Sequence, residues 1–160
     1  MGDAVDRRVW IAAAADADQA AQLLHDFNQE FGDPTPPVAT LSRRLVGLIE
    51  GGDTLVFLGG HGPDGVAVLR LRPALWSERP ECYLAELYVR PASRGRGLGR
   101  AIMEAVLGEA HRRGAYTIEI GVDEPDLEAR KLYESLGFTN HVRDGDEAVM
   151  YVYELDLRKR

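Results

Sequence analysis

Leu87-Tyr88-Val89-Arg90-Pro91-Ala92-Ser93-Arg94-Gly95-Arg96-Gly97-Leu98-Gly99-Arg100 is the stretch whose reading decides the fold. It passes from the end of a strand, through a turn of glycine and arginine, into a helix. Three glycines at alternating positions let the main chain curl closely around an anion, and N–H groups at a helix start can point at the same oxygens. The pattern predicts a cradle for a pyrophosphate, with the arginines adding a positive field at its mouth. A Walker loop is excluded, because no lysine lies between Val89 and Arg100. A dinucleotide fingerprint fits poorly: counting from Gly95 puts Arg100 where the third glycine belongs, and counting from Gly97 puts Ile102 there. Glu119 nevertheless sits near the place of a ribose-binding acid.

Working outward, Val9 and Ile11 alternate as a short strand, and Asp16 is placed to cap a helix with apolar positions Ala20, Leu23, Leu24, Phe27 and Phe31. Leu41, Leu45, Leu48 and Ile49 mark a second amphipathic helix that ends at Gly51-Gly52. Residues 54–58 and 66–71 read as an antiparallel hairpin across a glycine-rich turn. Residues 82–89 form a strand, Leu98, Ala101, Ile102, Ala105 and Val106 give the inner face of a long helix ended by Gly114, and 116–122 is the next strand. A strand, helix, strand unit of this length predicts a parallel pair with a right-handed crossover. A further helix runs from Pro125-Asp126 to Leu136 with Gly137 as its cap, and two last strands are expected at 138–142 and 149–157. By alternation Glu86 is expected to share a face with Leu84 and Tyr88, and Glu119 with Thr117 and Gly121.

At 160 residues the chain is expected to be one α+β domain, 1–160, without a linker or internal repeat. The net charge of −7 argues against nucleic acid or an anionic membrane as partner and is compatible with a cationic substrate. The only cysteine, Cys82, cannot form an internal disulfide, which suits a reducing cytoplasm. The segment from Met1 to Arg8 is charged, and the apolar run from Ala12 to Ala15 is too short for a secretion signal. His25, His61, His111 and His141 lack metal-ligand spacing, so no metal is expected.

Arg94-x-x-Gly97-x-Gly99 closely resembles the acetyl-CoA-binding segment of the GNAT superfamily of N-acetyltransferases, and the resemblance continues through Leu132-Tyr133-Glu134-Ser135-Leu136-Gly137-Phe138. It implies a mixed, mostly antiparallel sheet flanked by four helices, whose central parallel pair splays to admit acetyl-CoA. The cosubstrate's pantetheine arm would pair with the backbone of Leu87, Tyr88 and Val89, one of whose N–H groups would face the thioester carbonyl. Its phosphates would rest on Arg94, Gly95, Arg96, Gly97, Leu98, Gly99 and Arg100. Tyr133 takes the family's tyrosine position, beside the CoA sulfur, as general acid. Asp126 stands where several relatives carry a cofactor-binding asparagine. Either Glu86 or Glu119 is the candidate base, since the glutamate that some relatives keep at position 121 is a glycine here.

Phe27-Asn28-Gln29-Glu30-Phe31-Gly32-Asp33 and Gly114-Ala115-Tyr116 are similar to small aminoglycoside 3-N-acetyltransferases of that superfamily. This implies that Glu30, Asp33 and Glu86, with Glu78 or Glu81 nearby, present carboxylates to a small polycation. Three classes of function stay open at this point. They are an acetyl-CoA-dependent N-acetyltransferase of a small cationic amine, or else of amino acids or peptide amines; a non-catalytic CoA-binding regulatory module; and a nicotinamide or flavin oxidoreductase. Relatives are often dimers, so a homodimer is expected.

Overall fold

The computed structural model describes residues 6–159; residues 1–5, where the charged N-terminal segment begins, and residue 160 lie outside the described residues. The chain divides into two compact units after Ile120. The first contains β1 (Val9–Ile11), α1 (Ala17–Phe31), α2 (Val38–Gly51), β2 (Thr54–Gly59), β3 (Gly65–Arg72), β4 (Glu81–Val89), α3 (Leu98–Arg112) and β5 (Thr117–Ile120). The strands lie side by side in chain order. The first four are antiparallel, and β5 joins β4 in parallel after the α3 crossover, as the strand, helix, strand pattern predicts.

Each sheet face has its own cover, and the strand sequences show why. Val56, Leu58, Val66, Val68 and Tyr88 bury against Ala17, Ala20, Ala21 and Leu23 of α1 and Leu45 of α2. The alternate residues meet α3, whose Leu98, Ile102, Met103 and Val106 are almost wholly buried. β2 is therefore buried along its whole length, which explains its unbroken apolar run. Gly65 makes the α3 contact close: a Cβ there would lie 2.6 Å from Ile102 Cδ1 and 3.3 Å from the Tyr88 carbonyl oxygen.

Three expectations are corrected. Asp16 does not cap α1 with its side chain; its Oδ2 instead accepts the Ala13 N–H at 2.8 Å, closing a short 3-10 turn just ahead of the helix. The fifth strand covers only Thr117–Ile120, shorter than 116–122. In the second unit, α4 (Leu127–Ser135) forms, with Asp126 Oδ1 accepting the Ala129 N–H at 3.1 Å. The two last strands do not. Among the described residues of 138–157 there is one isolated antiparallel bridge, His141 to Val149, around a turn at Gly145. Val152 and Tyr153 are 83% and 91% exposed. A two-stranded ribbon with no buried face is marginal, so alternation alone does not make it a ladder.

Gly65→Val is expected to destabilise the protein by about 1–3 kcal/mol through overpacking beneath α3. Thermal unfolding checks this, and an unchanged midpoint would contradict the close seating of α3.

Candidate active site

The parallel pairing of β4 with β5 starts at Glu81 and Thr117 and stops at Leu84 and Ile120, while β4 itself continues to Val89. The antiparallel register on the other side slips at the same place. Val68 pairs with Glu86 and Leu69 with Leu84, so Ala85 is an extra, unpaired residue, a β-bulge. The bulge reverses the alternation and corrects the expected faces. Leu84 pairs with Leu69 on the α3 side, whereas Glu86, opposite Val68, lies with Tyr88 on the α1 and α2 side.

Beyond the bulge the hydrogen-bond phase is set by Arg90, whose N–H donates to the Asp64 carbonyl at 2.8 Å. Alternate residues of an antiparallel pair bond to the partner strand, so Tyr88 and Glu86 direct their backbone groups at β3. Leu87 and Val89 direct theirs away from it, towards the side β5 has left. Of the three backbone candidates, Leu87 and Val89 therefore face the opening and Tyr88 does not. Tyr88 is instead a core aromatic, 5% exposed and stacked on Phe27 at 5.0 Å between centroids.

The turn follows at once. Pro91–Ser93 forms a 3-10 turn, Gly95 and Gly97 have φ of +71° and +87°, and Gly97 is the residue before α3. The N–H groups of Leu98 and Gly99, in the first turn of α3, have no acceptor inside the helix, and no acidic residue occupies that turn. Left-handed glycines followed by free helix N–H donors fit a diphosphate.

The guanidinium of Arg94 is engaged within the protein: Nε donates to the Val89 carbonyl at 2.8 Å, Nη2 pairs with Glu30 at 2.5 Å, and its Cζ lies 5.6 Å from the centre of the Tyr88 ring. Arg90 pairs with Asp26 at 3.6 Å. Two carboxylates one turn apart on α1 thus hold two arginines one strand-exit apart. Glu30 has a partner of its own, while Asp33, in the turn after α1, has no side-chain partner among the described residues.

The side chain of Glu86 is half-buried, with no hydrogen bond or ion pair among the described residues. Burial raises its pKa from the ordinary glutamate value, and Arg70 nearby opposes part of that rise. Glu119 is different. It is exposed and accepts from Arg72 Nη2 at 3.0 Å, and the same arginine holds Glu81 at 2.8 Å. Tyr133, on α4 in the second unit, is buried, and its phenol is pushed up to about 12 mainly by desolvation, with the Asp126 charge adding to it. Asp126 itself is occupied in capping α4. Cys82 is wholly buried, and desolvation raises its thiol pKa, as for a packing residue. Among the described residues no group of three or more histidine, cysteine, aspartate or glutamate side chains could hold a metal ion, and no helix is long and apolar enough to cross a membrane. Sequence reading missed the bulge and the α1 ion pairs; the only trace of the latter is the matching four-residue spacing of Asp26, Glu30 and Arg90, Arg94.

The profile of the acetyltransferase (GNAT) family matches residues 15–138. A mycothiol acetyltransferase of Beutenbergia cavernae is 38% identical over 150 residues, covering 86% of this chain and 43% of that protein. The L-methionine sulfoximine/L-methionine sulfone acetyltransferase of Salmonella typhimurium is 34% identical over 71 residues, 44% of this chain and 42% of that protein. The match thus spans less than half the length of each of these curated relatives. Among solved structures, a chain assigned as an acetyltransferase from Arthrobacter sp. FB24 superposes with a TM-score of 0.84 at 46% identity, covering 92% of this chain and 95% of that one. An aminoglycoside acetyltransferase from an uncultured soil metagenomic sample, in complex with sisomicin, shares the fold with a TM-score of 0.72 at 20% identity, over 93% and 96% of the two chains. With one family match spanning both the glycine turn and the tyrosine motif, this chain belongs to the GNAT acetyltransferase family.

Proposed function

We propose that the protein is an acetyl-CoA-dependent N-acetyltransferase that acetylates a primary amine of a small substrate by direct attack. The observation that carries this reading is an unpaired, half-buried carboxylate, Glu86, beside backbone groups of Leu87 and Val89 that have no strand partner. Acetyl-CoA, when bound, supplies the activated thioester. Its diphosphate is assigned to the backbone of residues 94–100, with Gly97, Leu98 and Gly99 closest and the Arg94 side chain clamping the turn rather than reaching outward. The Leu87 N–H is the candidate donor to the carbonyl oxygen as negative charge develops there, a contribution typically worth about 10² to 10³ in rate.

Glu86 takes the proton from the incoming ammonium, directly or through one water. The amine nitrogen then bonds to the acetyl carbon, the carbon–sulfur bond breaks with its electron pair on sulfur, and the nitrogen gives its second proton to solvent to leave the neutral amide. Glu86 is preferred over Glu119, which Arg72 holds. Tyr133 serves the leaving sulfur. A phenol pushed to about 12 stays protonated throughout the neutral range but is a weaker acid than an ordinary thiol at ~8.5. Its contribution is therefore a hydrogen bond that steadies the thiolate, with solvent completing the proton transfer. Asp126 contributes through the α4 cap.

For the acceptor, a small cationic amine of the aminoglycoside or polyamine kind is supported by the net charge of −7 and by Asp33 and Glu86. A second reading, an amino acid or peptide amine, has an observation of its own. Glu30, Glu81 and Glu119 are taken up by arginines, whereas Arg70, exposed and on the Glu86 face, has no ion-pair partner among the described residues and could hold a carboxylate. The same proposal has residues 1–160 acting as one domain in the cytoplasm, as a homodimer, without nucleic acid, membrane or metal.

Release of free CoA over a panel of aminoglycosides, polyamines, amino acids and peptide N-termini, with the product's mass, tests the function; no acetylated amine in any class would refute it. Burial shifts Glu86 upward, so kcat/KM is expected to fall as pH drops through the raised pKa of that carboxylate. Glu86→Gln should abolish that limb and lower the rate by about 10²-fold or more, leaving only the limb of the acceptor amine itself. Identical profiles in the two proteins would remove Glu86 as base.

Tyr133→Phe is expected to lower kcat while CoA affinity, measured by calorimetry, stays near that of the parent. An equal rate on a good acceptor would remove Tyr133 from the chemistry.

A further inference from the structure

The N-terminal segment brings an arginine to the glycine turn from about 90 residues away in sequence. Arg7 Nε donates to the Arg96 carbonyl at 3.1 Å, and a Cβ built on Gly97 would lie 3.2 Å from Arg7 Cζ and 3.3 Å from its Nη2. The placement is anchored on both sides. The Arg8 carbonyl accepts the Gly60 N–H at 2.9 Å, the Arg8 N–H donates to Asp6 at 2.9 Å, and Val9 then enters the sheet opposite Gly59.

The electrostatics of this position need an explanation. Arg7 is exposed and has no carboxylate partner among the described residues, and it sits against the start of α3, where the helix dipole is positive. An arginine cannot relieve that repulsion by losing its proton. A bound anion would relieve it, and a planar guanidinium can offer two N–H donors to one phosphate. Residue 7 also lies outside the stretch 15–138 that the family profile matches, so the family's own motif does not supply it.

We propose that Arg7 is a phosphate ligand of the cosubstrate, closing the cradle over the diphosphate opposite the N–H groups of Leu98 and Gly99. This rests on the acetyl-CoA reading above, and the test separates the two. In the full chain, Arg7→Ala should weaken CoA binding about tenfold by calorimetry and flatten its dependence on salt, with Arg7→Lys recovering part of the loss. The KM for acetyl-CoA should rise, while that for S-acetylpantetheine, which carries no phosphate, stays unchanged. Inorganic pyrophosphate should also compete less well against CoA in the alanine variant.

If Arg7→Ala binds CoA like the parent while Gly97→Val does not, the cradle stands and Arg7 has no part in it. If KM rises equally for acetyl-CoA and S-acetylpantetheine, Arg7 acts only by supporting the turn through the Arg96 carbonyl, and the inference is overturned. If the parent protein does not bind CoA at all, the underlying reading fails and the inference fails with it.

Discussion

The site depends on what happens to β4 after Leu84. There its parallel partner stops and one extra residue, Ala85, enters its antiparallel side. An unpaired strand edge at the middle of a sheet is costly unless something else satisfies it, because buried N–H and C=O groups lose water without gaining partners. Here part of the demand is met internally, by Arg94 at the Val89 carbonyl, and the Leu87 groups are left facing the side that β5 has left. The bulge has a second effect. Without it, alternation would carry Glu86 into the apolar layer beneath α3; with it, the carboxylate comes out on the α1 and α2 side beside Tyr88. The end of the parallel pairing thus opens the backbone, and one residue of slip on the other side of β4 sets a carboxylate beside that opening.

The charges around the turn form a graded set. Arg90 and Arg94 are neutralised by Asp26 and Glu30 of α1, and Arg94 also covers the Tyr88 ring on which Phe27 stacks. The end of α1 and the exit of β4 are thus tied by aromatic packing as well as by charge, in partly exposed pairs whose value is more in geometry than in free energy. This leaves the backbone donors at the start of α3, with Arg7 against Gly97, as groups of the turn that no carboxylate holds among the described residues. Carboxylates on the sheet divide in the same way. Arg72 binds Glu81 and Glu119 together, and Glu86 alone among the three is unpaired and partly desolvated.

Reading the chain residue by residue worked where the signal was local. The β4, turn, α3 succession, the hairpin of β2 and β3, the crossover and the Gly137 stop are all written in spacing and in turn residues, and all are found. It failed where local pattern had to compete with partners elsewhere. Residues 149–157 alternate like a strand, yet exposed Val152 and Tyr153 lie on no sheet among the described residues. Asp16 has the right side chain for a cap but turns back to Ala13. Glu30 looked like a free acid at a helix end because nothing near it in sequence announces Arg94, 64 residues away.

From the sequence alone came the family, the α+β order of elements and the location of the glycine and arginine turn, because its glycines act through their own backbone torsions and need no distant partner. Tertiary structure alone decided which carboxylate is unpaired, which face Glu86 takes and which of three neighbouring residues offers its backbone to the opening. Those outcomes depend on strand register and on ion pairs between distant segments, and a one-residue slip at Ala85 changes them without leaving a mark in the local pattern.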